Sequence, residues 1–178
     1  MSIEIRDALE EDLPLLWEIR SNPLVLQANY PIARGENIRS WKEALFSKPP
    51  KKLKQSKLTS VLFEARVVGY ISQYYFTVGG EDVRYCGWDL LPEFWGKGIM
   101  PDALKQLFDI LFNECDVAKV VADCFPENKR CIRVMEKLGF SSTHVPLLEK
   151  IFTAISMGKH YKTVRFQLHV TDWKSGSG

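Results

Sequence analysis

The sequence predicts an α/β fold: one mixed, mostly antiparallel sheet with helices on both faces. Three observations predict it. The order of elements is a strand, two helices, a run of antiparallel strands, then strand, helix, strand, helix and a closing strand. The stretch Val117 to Phe125 is almost wholly apolar apart from Lys119 and Asp123, as a strand covered on both faces would be. The chain has 178 residues and is 46% hydrophobic, enough to bury the core of one domain without staples.

Each element has its own reason. Ile3 to Asp7 alternates as a strand does. Asp7 is a candidate N-cap for the next segment, where Leu13, Leu16, Trp17 and Arg20 form a helical stripe with Pro14 near its start. Asn22-Pro23 should end that helix. Ile38 to Phe46 predicts a second helix with Trp41, Leu45 and Phe46 inward, and Lys48-Pro49-Pro50-Lys51-Lys52-Leu53-Lys54 a loop. Leu58 to Glu64 and Val68 to Thr77 are rich in β-branched and aromatic residues, joined around Ala65-Arg66, and Gly79-Gly80 is the next turn. Arg84 to Leu90 is the strand that leads to a glycine turn, and the helix beyond it carries Leu104, Leu107, Phe108 and Leu111 on one face. Asn128 should open a helix with Cys131, Ile132, Met135 and Leu138 inward and Gly139 as its C′ residue. Thr163 to Val170 alternates again as a strand. The domain is expected to span residues 1–174, with 175–178 as a flexible tail.

Bulk properties narrow the function classes. A net charge of +2 gives no strong nucleic-acid signal. The four cysteines, Cys86, Cys115, Cys124 and Cys131, show no Cys-x-x-Cys pair and no zinc spacing with His144, His160 and His169, so no metal is expected. Reduced thiols, no apolar leader and no run long enough to span a bilayer predict a cytoplasmic protein without membrane attachment, as a monomer or homodimer.

The most informative stretch is Pro92-Glu93-Phe94-Trp95-Gly96-Lys97-Gly98-Ile99-Met100-Pro101-Asp102-Ala103-Leu104. It joins a strand to an amphipathic helix through two glycines one residue apart, which lets the backbone turn tightly and approach a ligand. The helix points its free N–H groups and the positive end of its dipole into that turn, a site for phosphate. There is no third glycine three residues on and no Gly-Lys-Ser/Thr, which argues against a dinucleotide fold and a P-loop. A pyrophosphate held by backbone amides without a magnesium ligand, as in coenzyme A, fits the pattern.

The segment Gly87-Trp88-Asp89-Leu90-Leu91-Pro92-Glu93-Phe94-Trp95-Gly96-Lys97-Gly98-Ile99-Met100 resembles the acetyl-CoA-binding motif of the GNAT superfamily of N-acetyltransferases, and most resembles its ribosomal-protein (RimJ/RimL-type) branch. A second match is Asn128-Lys129-Arg130-Cys131-Ile132-Arg133-Val134-Met135-Glu136-Lys137-Leu138-Gly139-Phe140, where the family writes Asn-x-x-Ser, four variable residues and Glu-Lys-x-Gly-Phe. Ile3 to Ala8 and on to Asn22-Pro23 fits the family's opening strand and helix. Glu93 stands where the family often has Gln or Arg, and Cys131 where it usually has Ser. The resemblance implies a GNAT fold with a splayed acetyl-CoA cleft. It also implies direct transfer of the acetyl group to a primary amine, a protein or peptide N-terminus or a small amine, without an acyl-enzyme.

Such a transfer needs a neutral amine, a donor for the developing oxyanion and a proton for the leaving thiolate. The resemblance points to the backbone of Leu90 and Leu91 for the oxyanion and the pantetheine arm. Trp95, Gly96, Lys97, Gly98, Ile99 and Met100 form the expected pyrophosphate turn, with the Lys97 side chain either touching phosphate or simply facing solvent. Asn128 is either an N-cap, a contact on the pantetheine or adenosine side, or both. Alternation puts Tyr85, Gly87 and Asp89 on one face, making Asp89 the candidate base, against the alternative of a solvated or salt-bridged carboxylate. Cys131, Tyr85 and Tyr161 compete as proton donor, and Cys131 also reads as a small apolar filler. Tyr30-Pro31 and Trp41 lie where the family builds its acceptor wall, although core packing also explains Trp41. Lys48, Lys51, Lys52, Lys54 and Lys57 read as a solvated loop or as a guide for an acidic partner. A non-catalytic module that binds CoA or acyl-CoA is the rival to the enzyme.

Overall fold

The computed structural model describes residues 2–29, 32, 35–46, 57–145 and 163–176. The expectations for Tyr30-Pro31, the Lys48–Lys54 loop, His160 and Tyr161 lie outside the described residues. Seven strands form one sheet: β1 (Ile3–Asp7), β2 (Lys57–Phe63), β3 (Arg66–Val78), β4 (Glu81–Leu90), β5 (Lys119–Cys124), β6 (Ser141–Thr143) and β7 (Val164–His169). Their spatial order is β1-β2-β3-β4-β5-β7-β6, and only β4 and β5 pair in parallel. The mixed sheet of the sequence reading is therefore observed, with β4 starting three residues earlier than its apolar content suggests.

The helices are α1 (Leu13–Ser21), α2 (Pro23–Ala28), α3 (Ile38–Phe46), α4 (Ile99–Asn113), α5 (Lys129–Lys137) and α6 (Val170–Gly176). Two of them correct the sequence reading. Asn22-Pro23 ends α1 but also starts α2: the Asn22 carboxamide accepts from the Leu24 amide at 2.9 Å and Pro23 takes the first helical position. The chain beyond β7 is helical through Gly176, and Trp173 stacks edge-on to Phe108 at 5.7 Å.

Asp7 does not cap α1. It ends β1 and pairs with Lys57 at 2.7 Å. The anchoring carboxylate is Asp12, which accepts from both Arg6 terminal nitrogens at 2.6 and 2.9 Å, from the Leu9 amide at 2.9 Å and from the Ser60 hydroxyl at 2.8 Å. Burial alone would raise the Asp12 carboxyl, but those donors hold it below the usual range.

Two cores sandwich the sheet. Leu16 and Ile19 of α1 pack with Leu58, Tyr70 and Leu91. On the opposite face Ala103, Leu104, Leu107, Phe108 and Leu111 of α4 cover Val61, Val68, Ile71, Cys86 and Leu90. Tyr70 and Ile71 are neighbours on β3 and alternate between the two cores, so α1 and α4 lie on opposite faces. Met135 and Leu138 of α5 join the α4 core, while Cys131 and Ile132 are only half-buried. Gly139 follows α5 with φ +82°, the left-handed C′ expected of it.

One feature of the sheet creates the site. β4 and β5 pair at Val83↔Lys119, Arg84↔Val120 and Tyr85↔Val121 and then separate. From Cys86 to Leu90, β4 keeps only its β3 neighbour, and β5 from Ala122 to Cys124 keeps only β7. The gap opens at the carboxyl ends of two parallel strands, where α/β sheets place ligands.

Candidate active site

The gap between the parted strands is a cleft of about 710 Å³, lined along one wall by Tyr85 to Leu90 and along the other by Ala122 to Phe125 with α5. Its floor near the glycine turn is built by hydrogen bonds that follow from the sequence. Pro92–Phe94 form a single 3-10 turn in which the Phe94 amide donates to Leu91 O at 3.0 Å and the Trp95 amide to Pro92 O at 3.1 Å. The Trp95 indole then donates to the Leu90 carbonyl at 3.0 Å and fixes the turn to the strand end.

The Leu91 amide is engaged: it donates to Val68 O of β3 at 2.9 Å. The expected pair of free amides at Leu90 and Leu91 therefore narrows to Leu90. Successive amides alternate in direction along a strand, so the Leu90 N–H turns to the side that β5 has vacated.

Gly96 and Gly98 adopt φ +75° and +79°, a conformation in which a side chain is strained. α4 begins directly after Gly98, and no side chain caps it. Its first internal bond is Asp102 amide to Gly98 O at 3.3 Å, which leaves the Ile99 and Met100 amides ahead of it, and Pro101 has none to satisfy. A side-chain atom added at Gly96 or Gly98 would meet nothing within 4 Å, so the space in front of these amides is open. Lys97 turns away: its ammonium sits over the Phe94 ring at 5.0 Å, and the residue does not line the cleft. The turn thus presents main-chain groups to the open space, and the Lys97 side chain does not join them.

Asp89 also lines the cleft. Its carboxylate accepts from the Tyr70 hydroxyl at 2.6 Å and from the Asn29 carboxamide at 2.8 and 2.9 Å. Loss of water around the group pushes it up to about 6, with Tyr70, Asn29 and the Arg20 charge opposing the rise. Around it stand Arg20, Glu36 and Trp41. The Arg20 guanidinium faces Glu36 at 3.3 Å, and the Trp41 indole donates to the same Glu36 carboxylate at 3.1 Å. Trp41 meets Trp17 and Tyr70 edge-on at 5.4 and 5.5 Å, so it is both packed and exposed to the cleft. Tyr70, Asn29, Arg20 and Glu36 had no motif to reveal them; Tyr70 is placed only by its cross-strand register with Asp89.

Tyr85 lines the cleft four residues before Asp89, with the Arg165 guanidinium 5.9 Å from its ring. Cys131 also lines it, but a hydrogen bond with Cys124 and burial raise its thiol far above the ordinary range. Asn128 caps α5, its carboxamide oxygen accepting from the Cys131 amide at 3.1 Å, while its NH2 group donates to Ala28 O of α2 at 2.9 Å. Both ends of that side chain are engaged in holding α2 to α5 beside the cleft. Among the described residues no cluster of His, Cys, Asp and Glu suits a metal ion, and no helix is long and apolar enough to cross a membrane.

The sheet is thus split beside an uncapped helix N-terminus, and a carboxylate raised by burial lines the same cleft. The chain belongs to the acetyltransferase (GNAT) domain family, whose model matches residues 2–141. It is 32% identical over 75 residues to a probable N-acetyltransferase, YjcK, of Bacillus subtilis (strain 168), covering 42% of this chain and 41% of that one. It is 42% identical over 45 residues to an aminoglycoside N(6')-acetyltransferase type 1 of Klebsiella pneumoniae, covering 25% of this chain and 22% of the relative. The matches thus span less than half the length of these curated relatives. The fold is similar to that of the acetyltransferase AAC(6')-Ib in complex with an aminoglycoside and acetyl-CoA, with a TM-score of 0.76 at 18% identity over 100% of this chain and 99% of that one. It is also similar to a ribosomal-protein-S5-alanine acetyltransferase from Vibrio fischeri, with a TM-score of 0.74 at 18% identity over 97% and 96% of the two chains.

Proposed function

We propose that this chain transfers the acetyl group of acetyl-CoA to a primary amine by direct attack. The observation that carries the reading is the uncapped α4 N-terminus behind Gly96 and Gly98, opening into the same cleft as Asp89. The amides of Ile99 and Met100 hold the pyrophosphate. The Leu90 amide donates to the carbonyl oxygen as charge builds on it. Asp89, aligned by Tyr70 and Asn29, takes a proton from the incoming ammonium, and a carboxyl near 6 is ionised at neutral pH yet basic enough for this. The amine nitrogen forms its bond to the acetyl carbon as the carbon–sulfur bond breaks, the departing thiolate takes a proton, and the second proton shed by the nitrogen returns through water to the group that supplied it. Tyr85 supplies that proton. Cys131 is the weaker donor, because its raised thiol makes transfer to a thiolate uphill.

For the acceptor we infer a small cationic amine. Asp89 and Glu36 supply carboxylates and Trp41 an aromatic wall to the cleft. Cations favour such surroundings. The partial likeness to an aminoglycoside acetyltransferase supports this reading. An N-terminal alanine, the acceptor of the RimJ/RimL branch, is the second reading, supported by the fold likeness to the S5-alanine enzyme. A panel of aminoglycosides, polyamines and Ala-initiated peptides, assayed with acetyl-CoA by release of free thiol, decides between them. Binding of acetyl-CoA without turnover on any of them would instead make the chain a non-catalytic CoA-binding module.

A further inference from the structure

Cys124 is the last residue of β5, and Cys131 lies in the first turn of α5, where its amide donates to the Asn128 cap at 3.1 Å. The strand end and the helix start bring the two side chains into contact: the Cys131 thiol donates to the Cys124 sulfur. Both residues line the cleft, on the wall that β5 and α5 form where β5 has parted from β4. Cys124 is buried and Cys131 half-buried, so a reagent reaches their sulfurs through the cleft. The other two cysteines are placed differently. Cys86 is packed in the α4 core, where burial pushes its thiol up to about 12, and Cys115 stands exposed just beyond α4.

Contact gives the two sulfurs different roles. The bond from Cys131 favours the thiolate of Cys124 and lowers its thiol, against burial and the charge of Asp123. The Asp123 carboxylate is itself bound by Arg165 at 2.8 and 2.9 Å, and Lys129 adds a favourable charge. The thiolate is the nucleophile in exchange with a disulfide. We propose that Cys124 and Cys131 form a thiol–disulfide exchange site in the cleft wall, which takes low-molecular-weight disulfides and closes to an internal bridge while the cleft is empty. The Cys124 thiolate attacks one sulfur of the small disulfide, whose sulfur–sulfur bond breaks. One thiolate leaves and takes a proton from water, and a mixed disulfide remains on Cys124. Cys131 then gives its proton to water and attacks the Cys124 sulfur, releasing the second thiolate, which is protonated in turn. Two protein thiols are oxidised and the small disulfide is reduced to two thiols. The bridge ties the first turn of α5 to the end of β5. That a filled cleft shields the pair rests on the acetyl-CoA reading above.

Non-reducing peptide mapping of the full chain treated with 2-hydroxyethyl disulfide tests this. Trypsin cuts after Lys119, Lys129, Arg130 and Arg133, so a bridge joins residues 120–129 to residues 131–133. The joined peptides should appear in the wild type, short of two hydrogens, and separate on treatment with dithiothreitol. Cys131→Ser, whose hydroxyl still donates to Cys124, should stall at the mixed disulfide on Cys124. Cys124→Ser should modify Cys131 at least about tenfold more slowly than the wild type forms its bridge, because the lowered thiol is gone. Mixed disulfides left open at both cysteines of the wild type, or reaction confined to Cys115, would overturn the exchange site. Desulfo-CoA carries the pyrophosphate and no thiol. At about ten times its Kd it should slow bridging roughly tenfold, because only the empty chain reacts. Undiminished bridging with desulfo-CoA shown by calorimetry to be bound would overturn the shielding. A bridge that forms in a chain that binds no desulfo-CoA would instead overturn the acetyl-CoA reading and leave the thiol pair standing.

Discussion

The Tyr70 hydroxyl donates to the Asp89 carboxylate at 2.6 Å across the β3–β4 ladder, where the two residues are direct partners. This bond works against the effect of burial on the Asp89 carboxyl. The hydrogen bond favours the charged carboxylate, while burial favours the neutral one, and the balance lies at about 6. If Asp89 is the base, kcat/KM falls on the acid side with an inflection near 6. Removing the phenol in Tyr70→Phe should move that inflection to higher pH by about one unit, since a hydrogen bond to a charged group is worth roughly 1.5–3 kcal/mol. Asp89→Asn should lower kcat by a factor of ~10²–10⁴ and leave CoA affinity in place. An inflection that stays put in Tyr70→Phe, or moves to lower pH, would show that another group titrates.

The same carboxylate predicts a stability trend. Its folded value is raised to about 6 from 3.8, so the folded protein binds more protons than the unfolded chain between those pH values. Stability from this group is fully present below pH ~4 and is lost as pH rises through ~6, amounting to at most about 3 kcal/mol for a rise of roughly two pH units. Asp12 opposes it: its lowered carboxyl contributes stability above the ordinary carboxylate range that disappears as the pH falls. Denaturant midpoints of Asp89→Asn measured at pH 5 and pH 7.5 should therefore differ less than those of the wild type. A pH dependence equal to wild type would place the loss elsewhere.

Tyr85 and Cys131 make different predictions as proton donors. Tyr85→Phe should lower kcat by about 10- to 100-fold with a thioester whose thiol is poorly acidic. Cys131→Ala should change kcat by less than about threefold and cost roughly 1 kcal/mol of stability for the volume lost beside Cys124. The reverse order of effects would restore Cys131 to the position that its place in the motif suggests.

Much of this was legible in the chain. The glycine turn, its helix and the alternation that turns Asp89 toward the cleft are local patterns, and each appears where the spacing puts it. What was not legible depends on registers and long-range contacts. Asn29 reaches Asp89 across sixty positions, and Asn128 reaches Ala28 across a hundred. No local spacing encodes such pairs. α2 was hidden because Asn22-Pro23 is as good a helix start as a helix stop. Leu91 looked equivalent to Leu90 until the β3 partner, Val68, was known. The Lys97 side chain had two open readings, and its placement over Phe94 depends on the 3-10 turn that precedes it.

Gly69 shows how a residue outside every motif still controls the site. It pairs with Leu90 across the ladder, and a Cβ built there would lie 2.4 Å from Leu90 Cδ2 and 2.5 Å from the Asp89 carbonyl oxygen. The second contact is with backbone, so no rotamer change relieves it. Gly69→Ala must push β4 away from β3 at the position proposed to supply the oxyanion amide and the base. The expected cost is about 1–3 kcal/mol of stability, typical of an overfilled core. A larger fractional loss should appear in kcat than in CoA affinity, because the glycine turn lies beyond the distortion. Thermal unfolding and CoA calorimetry on the same preparation separate the two effects. A variant that loses CoA binding and turnover in equal proportion would show instead that the strand end and the turn move as one unit, coupled by the Trp95 indole on the Leu90 carbonyl.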